Sequence, residues 1–364
     1  MTPKRFQFKI EELPDMAQSL VLRNFNERDL MCFSVCDAKS VDLVKNAEIR
    51  TKKFHVGLGQ IEFLFSTRLN ASLVWRFNEV KQEPKEKTIK EIIKNVRENK
   101  EQHWITDCAD MDVAMSTVVG YLFELFRSKV TYYHFDLSDD KSCVEKLALL
   151  AIDHVENMEI SVSRLFCEQN LREILENVHI DERLKLYSRS PRNFSFYEPL
   201  RAKYLELSHA NWLTNNNLLT ADAEKITVFQ CNLQISTVNE FMHRWLAGKY
   251  PRLQTFEWEF NKNEQNPRDG IGRMTLMNKL NLHCVDPDRH HKYIMPLFYV
   301  YTNLRVVTHH LDFKNGYDLH RDDGAIASIY VGNSELLFVV WGDWIPEILL
   351  RNTTAGGEEP GTSD

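Results

Sequence analysis

Excess positive charge is the first thing this chain of 364 residues lacks: 45 Lys and Arg stand against 52 Asp and Glu, a formal net charge of −7. Without a basic field nothing draws it over long range to nucleic-acid phosphates or to an anionic membrane, so neither is expected as a partner. Long apolar runs are missing too. The stretches at 147–152 and 336–341 are core-sized, well short of the roughly 20 residues that cross about 30 Å of hydrocarbon. Lys4, Arg5 and Lys9 have no apolar segment behind them, so neither a secretory signal nor an anchor is expected. Cysteine is sparse. The seven, Cys32, Cys36, Cys108, Cys143, Cys167, Cys231 and Cys284, are odd in number and scattered through a chain large enough to need no staples, which points to a reducing compartment, cytoplasm or nucleus.

Signatures of catalysis are also absent. There is no G-x-S-x-G, H-E-x-x-H or G-x-x-x-x-G-K-[ST], and Gly57-Leu58-Gly59 fails as a dinucleotide fingerprint because Glu62 stands where the third glycine belongs. His283-Cys284 and His290-His291 lie close together, but their spacing is neither C-x-x-C nor H-x-x-x-H. No metal, cofactor or enzymatic activity is expected. Cys32 and Cys36 share a helix face with Leu30, Phe33 and Val35 nearby and read as small buried apolar residues.

What is present is a core: 43% of the residues are apolar and 11% aromatic, far too many for general disorder. Leu13-Pro14-Asp15 opens a short helix with Met16, Leu20, Val21, Leu22 and Phe25 on more than one face. Asn26 is placed to cap a second helix carrying Leu30, Phe33 and Val35, and a third runs over 38–47 with Val41, Leu43 and Val44. Three helices in so short a span are undersized for a core of their own, so they should lean on a partner or on the rest of the chain. Residues 60–65 and 73–77 read as paired strands about Arg68-Leu69-Asn70. Residues 83–102 read as an amphipathic helix with Ile89, Ile92, Ile93 and Val96 inward and interleaved charges outward.

From about residue 110 strands and helices alternate. Strands are expected at 132–137, 158–162, 184–187, 204–207, 226–229 and 256–260, and helices at 144–155, 167–178 and 238–246. The loose period of this alternation suggests a solenoid of the leucine-rich-repeat kind, with an ordinary α/β sheet as the rival reading. Leu205-x-Leu207 with Asn211 and Leu213, and Ile226-x-Val228 with Cys231 and Leu233, follow the repeat pattern loosely. Asp322-Asp323-Gly324 signals a hairpin turn of type I′ between 317–321 and 325–331, and 336–341 adds a strand. Residues 351–364 read as a flexible tail.

Two separated stretches resemble nematode F-box proteins that carry a type 2 F-box-associated domain. Leu13-Pro14-Asp15-Met16, Val21-Leu22, Asp29-Leu30, Phe33-Ser34-Val35-Cys36 and Lys39 look like an F-box. Leu205-Glu206-Leu207, Trp212-x-Thr214, Leu218-Leu219, Cys231-x-Leu233, Asn239-x-Phe241 with Trp245, and Leu253 follow the family's second pattern. Tyr317-Asp318-Leu319, Arg321 and Asp323-Gly324 match its C-terminal hairpin.

The resemblance implies a substrate-recognition adaptor of an SCF-type cullin-RING ubiquitin ligase, a non-catalytic subunit. Its partners would be a Skp-type adaptor, through that a cullin, and a protein substrate of unknown identity. Leu13, Pro14, Leu22, Phe25, Leu30 and Phe33 are the expected adaptor anchors, in the manner of helices docking in a groove. Trp212 and Trp245 are expected in the core. The fold expected is mixed α/β: a small three-helix F-box at 8–52, connecting strands and helix at 53–110, and a leucine-rich-repeat-like solenoid at 111–350. That last part would hold the F-box-associated segment at about 199–262 and a C-terminal hairpin region, before the tail. The alternative function is a repeat-type interaction scaffold without ligase coupling.

Overall fold

A computed structural model describes residues 9–49, 51–57, 60–65, 73–80, 88–100, 103–126, 130–136, 153–162, 168–188, 194–260, 270–285, 292–296, 308–312, 316–332 and 335–342. The Arg68-Leu69-Asn70 turn, most of the helix at 144–155, Cys143, Cys167, His290-His291 and the tail at 351–364 lie outside the described residues. The chain divides into two compact units, Met1–Tyr187 and Ser188–Asp364.

The first unit opens with helices α1 (Asp15–Leu22), α2 (Glu27–Ser34) and α3 (Ala38–Asn46). Pro14 precedes α1, where a missing N–H costs no helical hydrogen bond. Asn26 caps α2 by accepting the Asp29 N–H at 2.7 Å, and Asp37 caps α3 through the Ser40 N–H at 2.8 Å. The strands β1 (Thr51–Gly57), β2 (Gln60–Phe65) and β3 (Leu73–Glu79) follow, then α4 (Ile89–Lys94), β4 (Arg97–Glu98), β5 (Trp104–Cys108) and α5 (Met111–Phe126). The unit is completed by β6 (Tyr132–Asp136), β7 (His154–Val162), α6 (Glu168–Asn177) and β8 (His179–Ser188). Its strands lie in the order β8-β7-β6-β1-β2-β3-β5-β4. β1, β2 and β3 form an antiparallel ribbon, while β1 runs parallel to β6 and β6 to β7.

Alternation explains the sheet locally: Leu73, Trp75 and Phe77 of β3 and Trp104, Thr106 and Cys108 of β5 point inward. The Trp75 indole donates to Thr106 Oγ1 at 2.9 Å and meets Trp104 edge-on at 4.9 Å. α5 buries Met115, Val118, Val119, Leu122 and Leu125, a helical stripe. At Gly57 the parallel partner comes very close, and an added Cβ would sit 2.5 Å from the His134 carbonyl oxygen. That contact is what requires glycine there.

The second unit contains β9 (Tyr204–Ser208), α7 (Asn215–Thr220), β10 (Lys225–Phe229), α8 (Ile235–Leu246), β11 (Thr255–Glu259) and α9 (Gly270–Leu276). β12 (His283–Cys284), β13 (Lys292–Pro296), β14 (Thr308–Asp312), β15 (Tyr317–His320), β16 (Ile326–Val331) and β17 (Glu335–Trp341) come after. The order is β12-β15-β16-β17-β11-β10-β9, with β13 and β14 a separate antiparallel pair. β9, β10 and β11 are parallel and joined through α7 and α8, and β17 closes antiparallel on β11.

This architecture corrects the expected fold. It is mixed α/β, but the F-box-then-solenoid arrangement is not what the chain builds. In a solenoid each strand pairs in parallel with its sequence neighbours. Here β1 sits between β6 and β2, β17 sits between β11 and β16, and antiparallel ribbons flank the parallel strands. The N-terminal helices lean on the rest of their unit, as their small size requires. α3 packs on α5, the Tyr121 hydroxyl donates to Ser34 Oγ at 2.8 Å, and Lys45 pairs with Glu124 at 2.6 Å. Strand–helix alternation reveals which segments are strands; their neighbours depend on long-range pairing.

Three local readings also change. Of the helix expected over 83–102, residues 83–87 and 101–102 lie outside the described residues; the described part forms α4, closed at Asn95, after which Arg97–Glu98 pairs with β5. The residues expected to end the 144–155 helix open β7 instead. The β15–β16 hairpin exists, but Gly324 alone in its turn takes a positive φ, +89°. With Gly324 N–H donating to the Arg321 carbonyl, and Arg321 N–H to that of Ala325, this is a three-residue loop ending in a left-handed glycine, not type I′.

Candidate functional site

The expected adaptor anchors part company in the structure. Leu22 and Leu30 are fully buried within the first unit. Phe25 and Phe33 are half-buried and meet edge-on with centroids 5.9 Å apart; Leu13 is half-buried and Pro14 exposed. Two other apolar residues of α1, not among the expected anchors, are the most open: Met16 is 78% and Leu20 55% exposed, one turn apart on one face. The base beneath them is fixed. Gln18 donates its amide to the Leu13 carbonyl at 2.7 Å, and the Arg23 guanidinium donates to the Ala47 carbonyl at 3.2 Å, fastening the end of α1 to that of α3. Cys32 and Cys36 are exposed rather than buried, a correction to the reading from their apolar neighbours.

In the second unit each motif residue has a structural task. Trp212 is buried against the Phe194 ring, and Thr214 caps α7 in a reciprocal box with Asn217. Asn217 also donates to the Glu198 carbonyl at 3.1 Å. Leu218 is buried, while the Leu219 carbonyl accepts from Arg244 at 3.1 Å and from the Tyr250 hydroxyl at 2.9 Å. Cys231 and Leu233 are buried, and desolvation pushes the Cys231 thiol up to about 11, so it is inert as a nucleophile. Asn211, by contrast, is exposed. On α8, Val238, Phe241, Met242 and Trp245 form the buried stripe, with Phe241 against Phe256 of β11 and both Phe241 and Trp245 against Phe338 of β17; Trp245 and Trp212 are core residues. Asn239 turns its amide to the Leu276 and Asn278 carbonyls at 2.7 and 3.1 Å and holds the end of α9.

The opposite face of that sheet is polar and partly covered. Thr227 pairs with Glu206 on one side and Glu257 on the other, and Glu259 pairs with Glu335. Burial, then the charges of Glu335, Glu206 and Glu259, push the Glu257 carboxyl up to about 7. Of the metal-ligating types noted in the sequence, His283 and Cys284 are exposed on β12, where the His283 ring lies 4.6 Å from that of His320. A group missed entirely is His154, His179 and Asp181, brought together at the starts of β7 and β8. Only the His-x-Asp alternation on one strand was visible in sequence; its distance from His154 along the chain hid the rest.

These features define a mixed α/β protein whose second unit is organised around a parallel β-α-β-α-β module. Residues 195–258, which contain that module, match the family model described as F-box associated, so the resemblance seen in the motifs holds over this stretch. Two uncharacterized Caenorhabditis elegans proteins are similar across most of the chain. One is 23% identical over 93% of this chain and 79% of its own length, the other 20% identical over 93% and 80%. The Caenorhabditis elegans E3 ubiquitin-protein ligase hecw-1 is 24% identical over 44% of this chain and 15% of its own. No solved structure matches. Among the described residues no helix is long and apolar enough to cross a membrane.

Proposed function

We propose that this protein is a non-catalytic substrate-recognition subunit of an SCF-type cullin-RING ubiquitin ligase. The F-box associated segment at 195–258 carries the reading, since proteins of that class hold a substrate for a ligase. The partial likeness to a ubiquitin-protein ligase agrees with it. The N-terminal helices dock a Skp-type adaptor, and through it a cullin, with Pro14, Met16 and Leu20 as the open anchors and Leu13, Phe25 and Phe33 along their margin. Leu22 and Leu30 support that face from within. The substrate binds the second unit, where Ile271 and Met274 on α9 are 82% and 76% exposed. The protein contributes effective concentration, holding the target's lysines near a charged conjugating enzyme. The cytoplasm or nucleus is where such a complex works.

The test is co-expression of the full chain with a panel of Skp-type adaptors, beside a Met16→Asp/Leu20→Asp variant. A stoichiometric complex lost in the variant supports the proposal. A folded protein that binds no adaptor overturns it in favour of a scaffold without ligase coupling.

A further inference from the structure

Two strands of the first unit begin side by side and bring three metal-ligating side chains together. His154 opens β7; His179 opens β8, and Asp181 follows two residues later. The period of two puts His179 and Asp181 on one face of β8, with Ile180 turned into the core between them. The His179 N–H donates to the Asp153 carbonyl at 2.8 Å, which fixes the two strand starts against each other. His154 Nε2 lies 2.7 Å from Asp181 Oδ2, and His179 Nε2 lies 3.1 Å from Asp181 Oδ1. The imidazoles stack with centroids 5.1 Å and planes 21° apart, and the ligand atoms of all three residues lie within 4.8 Å of one another.

His154 carries the argument. Its Nε2 is shielded from solvent yet makes no well-directed hydrogen bond, although a carboxylate oxygen sits at contact distance. A polar atom held this way costs stability unless another group meets it. A neutral imidazole nitrogen is the commonest metal ligand in proteins. A tetrahedral ion with bonds of about 2.0–2.2 Å separates its donors by about 3.3 Å, so the two imidazole–carboxylate spacings open by up to roughly 0.6 Å, and a donor pair at the 4.8 Å limit closes by roughly 1.5 Å through side-chain rotation.

The geometry points to a site for a divalent first-row transition ion of the zinc class, held by His154, His179 and Asp181. The donors select this class: two imidazoles disfavour calcium and magnesium, which prefer all-oxygen sites, and the lack of thiolate disfavours copper(I). Side-chain exposures of 29%, 62% and 37% leave an access path and room for water at the remaining positions. The bound ion fastens the start of β7 to that of β8, and because the unfolded chain has no such site, binding adds to folding stability.

The experiment is titration of the metal-stripped full-length protein with zinc by calorimetry and with cobalt(II) by visible absorption. The expected result is one saturable ion per chain, with a zinc-dependent rise in melting temperature. His179→Gln and Asp181→Asn should each weaken binding by about tenfold or more and abolish the rise. His179 is largely exposed, so its variant should fold, as circular dichroism would verify. Zinc affinity unchanged in His179→Gln would place the ion elsewhere and overturn the inference. So would the lack of any saturable binding tighter than about 100 μM, a free energy of roughly −5.5 kcal/mol.

Discussion

Glu257 shows what a single side chain acquires from its neighbours in the sheet. The alternation of β11 puts it on the polar face beside Glu259 of the same strand, and the sheet then adds Glu335 from the flanking β17 and Glu206 from β9 beyond β10. Its carboxyl rises from the ordinary 4.5 to about 7, so the folded state holds the proton more tightly than the unfolded one. The resulting stabilisation is complete below pH 4.5 and is lost as pH rises through about 7. Glu257→Gln keeps the shape without the charge. It should therefore be the more stable protein above pH 8, by on the order of 2 kcal/mol, with the gap closing toward acid in melting curves taken across pH. Gly57→Ala is expected to cost about 1–3 kcal/mol in urea titration, because the new methyl meets the His134 carbonyl oxygen and must push β1 from β6. Neither effect is legible in sequence: Glu257 and Glu206 are far apart along the chain, and Gly57 looks there like a fragment of a phosphate loop.

At the level of the element, α1 separates burial from display. Leu20 and Leu22 are two residues apart, yet one is 55% exposed and the other 0%. Met16→Asp and Leu20→Asp should leave the melting temperature within a degree or two of wild type, since exposed substitutions change stability by less than about 0.5 kcal/mol. Leu22→Asp should instead destabilise by more than about 3 kcal/mol, because it buries a carboxylate with no partner, and it therefore reports on folding rather than on docking. The caps follow the same logic: Asn26→Ala removes the acceptor for the Asp29 N–H and should cost about 1 kcal/mol, read by thermal denaturation. Asn26 and the start of α1 were readable because capping and proline chemistry are local. The length of α4 was not, since β4 exists only through its pairing with β5.

For the molecule as a whole, two compact units in one chain make a departure from simple two-state unfolding the natural expectation. Phe241 contacts Tyr250, Phe256 and Phe338 and is fully buried, so Phe241→Ala should remove about 3–5 kcal/mol from the second unit. Hydrogen exchange resolved by peptide should then accelerate more across 204–259 than across 104–126. Equal acceleration in both would show that the units unfold together.

Local chemistry in the sequence determined the central residues of strands β6 to β11, the three N-terminal helices, the buried tryptophans and the F-box associated motif, because periodicity, capping and aromatic burial act over a few residues. The tertiary structure alone decided that β1 inserts beside β6 and β17 beside β11, that Leu22 and Leu30 turn inward while Met16 and Leu20 face out, and that His154 meets His179 and Asp181. The physical reason is one: strand neighbours and convergent side chains are set by hydrogen bonds and packing between segments far apart in the chain, and no local pattern encodes which distant segment will arrive.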